Sequence, residues 1–176
     1  MYRALSSAAE AIARIMGIAG GLILLAVVVL TCVSITGRAL FSAGICCGSV
    51  RGSFDYTEIG VAAAIFAFLP WCQIRNTHAA VDLFKPVYPA AMNRFLNLLM
   101  DIGMLAVAAL IAHRLYLGML DKMAYGETTF IAQVPVWWGF AASLVGAVGW
   151  TLVAGFCVLR SARLMIGMPT PDEDYA

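Results

Sequence analysis

Charged side chains are scarce in this chain. Asp, Glu, Lys and Arg make up 12% of its 176 residues, about half the roughly 25% of an ordinary soluble domain. The 11 basic and 10 acidic residues nearly cancel, and no basic block or stripe stands out. A nucleic-acid partner, which needs clustered Lys and Arg to neutralise phosphates, is thereby excluded. Histidine is scarcer still, at two residues, His78 and His113. They fall in segments read below as lying on opposite sides of a membrane, so the facing pair of axial ligands that a b-type haem requires is missing. No HExxH, nucleophile elbow or clustered set of metal ligands occurs. The chain therefore reads as non-enzymatic and free of cofactors.

Cysteine is limited to five residues. Cys32, Cys72 and Cys157 sit inside apolar runs and read as packing residues. Cys46 and Cys47 are neighbours in the first loop, where a vicinal disulfide would be strained. The third loop has no cysteine to exchange with them, which weakens a thiol-oxidoreductase reading.

Apolar residues fill the space that charge leaves, at 62% of the chain with a mean hydropathy of +0.90. They gather into four runs, Ile15–Gly37, Ile59–Ile74, Phe95–Ala112 and Val134–Leu159. A helix needs about 20 apolar residues to cross a bilayer core, and no backbone amide facing lipid can be left unpaired. The sequence thus predicts an all-α integral membrane protein with four transmembrane helices, at roughly 15–37, 55–74, 95–113 and 134–159, in a single domain over 1–167. An acidic tail, 168–176, contains Asp172, Glu173 and Asp174. The first run is too long for the apolar core of a cleaved signal, so it reads as a retained helix.

Lys and Arg near the helix ends set orientation. Arg3, Arg14, Arg75, Lys85, Arg94, Arg160 and Arg163 fall in the N-terminus, second loop and C-terminus, against Arg38, Arg51, Arg114 and Lys122 in the other loops. Seven against four places both termini in the cytoplasm. Short amphipathic segments suit the membrane interface. Residues 2–16 read equally as a surface helix, with Glu10 and Arg14 able to pair, or as an extension of the first crossing. A second surface helix is expected before Pro86 and Pro89, and 113–125 can extend the third crossing.

Within this frame a few residues invite attention. Gly17 and Gly21 form a GxxxG pair, and Gly139, Ser143 and Gly146 give the fourth helix a small-residue flank; both allow close helix approach. Asp55 and Glu58 sit in the first turns of the second helix, where carboxylates suit the helix dipole. Trp71, Trp137 and Trp138 read as interfacial anchors, with Pro70 placed to kink the second helix and Pro135 to open the fourth. Arg75, His78 and Asp82 are close enough in sequence to form a polar cluster in contact with lipid headgroups. Asp101 is the one ionisable residue deep in an apolar run. It is expected either to pair with Arg94 or Arg75, or to serve, with Glu58, a proton- or ion-conducting unit.

Taken in order, Gly37-Arg38-Ala39-Leu40-Phe41, Phe54 to Glu58, Arg75-Asn76-Thr77-His78 followed by Val81-Asp82-Leu83-Phe84, and Gly126 leading to Pro135-Val136-Trp137 resemble the small transmembrane subunit of tripartite ATP-independent periplasmic (TRAP) transporters. The resemblance covers nearly the whole chain. It departs at Phe54, where Trp is commoner, and at the longer loop carrying Cys46-Cys47. It implies a large polytopic membrane subunit and a periplasmic substrate-binding protein as partners, a bacterial inner-membrane location, and sodium-driven uptake of organic acids. The small subunit would then scaffold the large one and help dock the binding protein. In that setting Arg38, Glu58, Arg75, His78, Asp82, Arg94 and Asp101 are expected to serve as structural or interfacial polar residues.

Overall fold

The computed structural model of the protein describes residues 2–44, 48, 50–75 and 90–165. They form four helices: α1 (Tyr2–Ser42), α2 (Ser53–Ile74), α3 (Ala90–Tyr125) and α4 (Trp137–Met165). Each is long and apolar enough to cross a membrane. The expected surface segment at residues 2–16 is continuous with α1, because nothing between them breaks a helix: the stretch holds no Pro or Gly. Likewise 113–125 continues α3 without interruption. At 41 residues, α1 measures about 60 Å, twice the thickness of a bilayer core. The expected surface helix before Pro86, together with His78, Asp82, Cys46, Cys47 and the acidic tail, lies outside the described residues.

Helix boundaries follow local chemistry. Gly52, at φ 76, holds the left-handed conformation that lets the chain turn into α2 and that other residues adopt at a cost. Gly126, at φ 61, does the same after α3, its N–H bonding to the Met123 carbonyl. Pro70 lies inside α2, and because it carries no N–H the Phe66 carbonyl one turn earlier has no helical donor.

The helices stand in the order α1, α2, α4, α3. α2 packs on α1 and α4, α1 also touches α4, and α3 packs on α4 alone. The centre is built from small residues, among them Ala63, Ala64, Ala67, Ala147 and Ala154, all buried. Helices in lipid gain little from burying large apolar groups and much from close backbone approach, which small residues permit. Half of the most apolar stretch of α4 is buried, against 11% in α1 and in α3. The outer helices therefore turn nearly all of their apolar surface outwards.

α1 and α2 meet at Gly20, where a Cβ would stand 3.0 Å from Ala67 Cβ and 3.3 Å from the Ala64 carbonyl oxygen. Gly17 lies over Trp71, but Gly21 has nothing within 4 Å and is exposed. Within this chain the α1–α2 contact is thus made by Gly17 and Gly20, while Gly21 of the GxxxG pair stands on the outer surface. One helical residue turns the chain by about 100°, so Gly21 points away from α2.

Candidate functional site

The residues that invite a function divide between the two ends of the row. At the proximal end, where α1 begins and α4 ends, stand Arg14, Arg75, Arg94, Asp101 and Arg160. At the distal end, where α1 ends and α4 begins, stand Arg38, Asp55, Glu58 and the 126–136 connection. Arg38, Glu58, Arg75, Arg94 and Asp101 therefore do not form one cluster.

Asp101 is buried, at 9% exposure. The Ser161 hydroxyl of α4 donates a hydrogen bond to its carboxylate, where pairing with Arg94 or Arg75 was expected. Arg94 is exposed on Asp101's own helix. Nearby, Gln73 at 2% exposure joins α2 to α4. Its side-chain oxygen accepts from Trp150 Nε1 at 3.3 Å, and its backbone carbonyl accepts from the Cys157 thiol at 3.8 Å. Above this knot the Arg75 guanidinium lies 4.9 Å from the centre of the Trp71 ring, in cation–π geometry. An apolar cluster of Ala9, Ala13, Val153 and Cys157 packs beneath.

The distal end carries a shaped connection between α3 and α4. Thr129 N–H donates to the Val134 carbonyl at 2.9 Å, and Val136 N–H to the Glu127 carbonyl at 3.0 Å. The turn closes through Gln133, a non-glycine residue at φ 55. Lys122 pairs with Glu127 at 2.5 Å. Asp55 lies in the first turn of α2, and one of its carboxylate oxygens also accepts the N–H groups of Ile131 at 3.2 Å and Ala132 at 2.9 Å. Gly52 makes the approach possible, since a Cβ there would stand 2.5 Å from Ala132 Cβ. The result is a fixed loop whose tip displays Phe130 at 99% exposure and Ile131 at 60%. Beside it a cleft of about 460 Å³ between α2 and α4 carries Asp55, Glu58 and Glu127 at its rim and Phe66, Phe140 and Ser143 inside. Trp137 and Trp138 meet edge to face, 6.1 Å between centres, at the start of α4.

Between the two ends the α2–α4 seam is packed. Gly139 touches Ile59, and Gly146 lies directly on Phe66. Ser143 is buried between these two contacts. Ser143 shares the distal cleft with Glu58, and Ser161 holds Asp101. Eighteen helical residues separate the two serines, about 27 Å, with Ala147, Val153 and Ala154 fully buried in the interval.

Sequence reading passed over Gln73, Ser161, Arg160 and Gly20. A signal existed for Gln73, the one amide side chain in the run Ile59–Ile74, because an amide in lipid requires a partner. Ser161 and Arg160 gave none, since both lie beyond the last apolar run and read as solvated.

Four helices, each long and apolar enough to cross a membrane, define a multi-pass membrane protein. Residues 27–164 match the family of Tripartite ATP-independent periplasmic transporters, DctQ component. The chain belongs to that family and is a TRAP transporter small membrane subunit, not an enzyme. The family implies partnership with a large membrane subunit and a binding protein. No curated protein and no solved structure matches the chain.

Proposed function

We propose that this subunit braces the large transport subunit of a sodium-driven, binding-protein-dependent importer of organic acids in a bacterial inner membrane. Both termini face the cytoplasm, and the distal loop forms part of the periplasmic surface on which the binding protein docks. The packed α2–α4 seam carries the scaffold reading: Glu58 and Asp101 stand at opposite ends of the row, with the Gly146–Phe66 contact between them. A conducting unit needs polar groups linked across the membrane. The exposed apolar faces of α1 and α3 suit a bracing role, since they offer broad surface to lipid and to a larger partner.

Affinity purification of the tagged chain from its native membrane in mild detergent tests this reading. A much larger polytopic protein is expected at equal stoichiometry. Reconstituted with a binding protein, the pair should take up an organic acid only under an inward sodium gradient. Recovery from the native membrane with no larger membrane protein bound would overturn the proposal.

A further inference from the structure

A cleft of about 1000 Å³ opens at the proximal end between α1, α2 and α4. Its lining divides by polarity. Arg14 and Arg160 bring positive charge to it, Arg75 stands at its edge, and Glu10 is the one carboxylate among its described lining residues. Ile15, Ile18 and Phe68 line it as well, from the membrane-spanning parts of α1 and α2.

Arg160 is the informative member. It is 8% exposed, and among the described residues it forms no ion pair. A guanidinium keeps its charge at any physiological pH, and a buried charge calls for a counter-charge. Asp101, whose field reaches the same Cys157 thiol as that of Arg160, accepts the Ser161 hydroxyl and makes no ion pair with the guanidinium. Glu10, in the cleft lining, makes no ion pair with Arg14, one turn along the same helix. Among the described residues the cleft thus holds two guanidiniums without an ion pair, Arg14 and Arg160, at the edge of the membrane span, with that of Arg160 fixed in its wall.

We infer that the cleft binds the phosphate of an anionic glycerophospholipid. Arg160 and Arg14 hold the phosphate oxygens, which suit the planar fork of a guanidinium, and the first part of an acyl chain lies along Ile15, Ile18 and Phe68. A free phosphate shares the anion chemistry but leaves the apolar part of the cleft without a purpose. The site does not depend on the transport reading, since it rests on this chain's own residues.

The test uses the full chain, delipidated in non-ionic detergent, with phosphatidylglycerol, phosphatidylcholine or inorganic phosphate added. Native mass spectrometry reads the bound adducts and thermal unfolding reads the stabilisation. Phosphatidylglycerol should bind and raise the melting temperature, with phosphatidylcholine well behind it. Arg160→Met should remove that response without lowering the melting temperature of the lipid-free protein, whereas an arginine with a purely structural role would lower it. Should that variant not fold, Arg14→Gln carries the test. Arg14 is exposed, and losing one charge-assisted contact should weaken phosphatidylglycerol binding by about tenfold or more. Equal stabilisation by inorganic phosphate would overturn the lipid assignment in favour of a soluble anion. No preference for phosphatidylglycerol, or equal binding by both variants, would overturn the site itself.

Discussion

Gly146 of α4 rests on the backbone of Phe66 in α2: a Cβ at position 146 would stand 2.7 Å from the Phe66 carbonyl carbon and 2.9 Å from its oxygen. This is the carbonyl that Pro70, four residues on, leaves without a helical donor. The missing side chain and the missing N–H therefore meet at one point of the seam, and the α4 backbone shields an acceptor that lipid could not satisfy. Gly146→Ala should destabilise the chain by about 1–3 kcal/mol through overpacking, and Gly146→Leu should prevent stable folding. Thermal unfolding in detergent reads both effects. Gly21→Ala, at a position with open space around it, is the neutral control. A Gly146→Ala protein as stable as that control would mean that the two helices do not meet here.

A second prediction concerns the knot between Gln73 and Trp150. Trp150→Phe removes the donor and leaves a buried amide oxygen without one, so it should cost about 1–3 kcal/mol. Removing both partners as Gln73→Leu with Trp150→Phe should cost less than the two single changes added together, because no orphan remains. A double-mutant cycle measures the difference, expected at about 1 kcal/mol. Strict additivity would show that the pair carries no interaction of its own.

The loop held by Asp55 offers a test that leaves the core untouched. Asp55→Ala removes the acceptor for two backbone N–H groups, the hydrogen bonds that join α2 to the loop tip among the described residues. Amide exchange at Ile131 and Ala132 should accelerate by about tenfold or more, while the amides of α4 keep their protection. Asp55→Asn, which keeps one side-chain oxygen, should fall between. Unchanged exchange at both amides would place the order of the loop in its own Thr129–Val134 and Glu127–Val136 bonds.

These contacts mark how far sequence reaches in a membrane protein. The four crossings were legible because lipid imposes a length and a polarity on any helix that spans it. The extensions of α1 over 2–16 and of α3 over 113–125 were legible as helix as well, but whether 2–16 lay apart on the surface or continued α1 was not, because both arrangements keep the same hydrogen-bonded ladder. The flank of small residues on α4 was visible, but its counterpart on α2 was not, since the Phe66 carbonyl becomes special only through Pro70. Spacing alone favoured Gly21 over Gly20, and the neighbouring helix chose Gly20. Asp101 was conspicuous as a lone charge, yet its partner Ser161, 60 residues away, carries no mark that would single it out among serines.

That partner yields a prediction about mechanism. An Asn at position 101 can still accept the Ser161 hydroxyl through its amide oxygen, so under the proposed function Asp101→Asn should leave assembly and uptake intact. Glu58→Gln, at an exposed position on the far end of the row, should do the same. Uptake in proteoliposomes is the measurement. Loss of uptake in both single variants, with assembly preserved, would restore the conducting reading.

Phe130 bears most directly on docking. At 99% exposure its ring has almost nothing to lose inside this chain, so Phe130→Ser should leave the melting temperature unchanged. A fixed loop that presents an aromatic side chain to the outside has the form of an interface anchor, because the loop is already ordered before a partner arrives. Aromatic anchors at protein interfaces commonly contribute about 2 kcal/mol or more, which corresponds to roughly thirtyfold weaker binding when the ring is removed. The affinity of the substrate-binding protein for the membrane complex in nanodiscs should fall by that order, with uptake at limiting binding protein falling alongside. Phe130→Trp, which keeps an aromatic face, should restore much of the affinity. Unchanged affinity in Phe130→Ser would move the docking surface away from this loop and on to the large subunit.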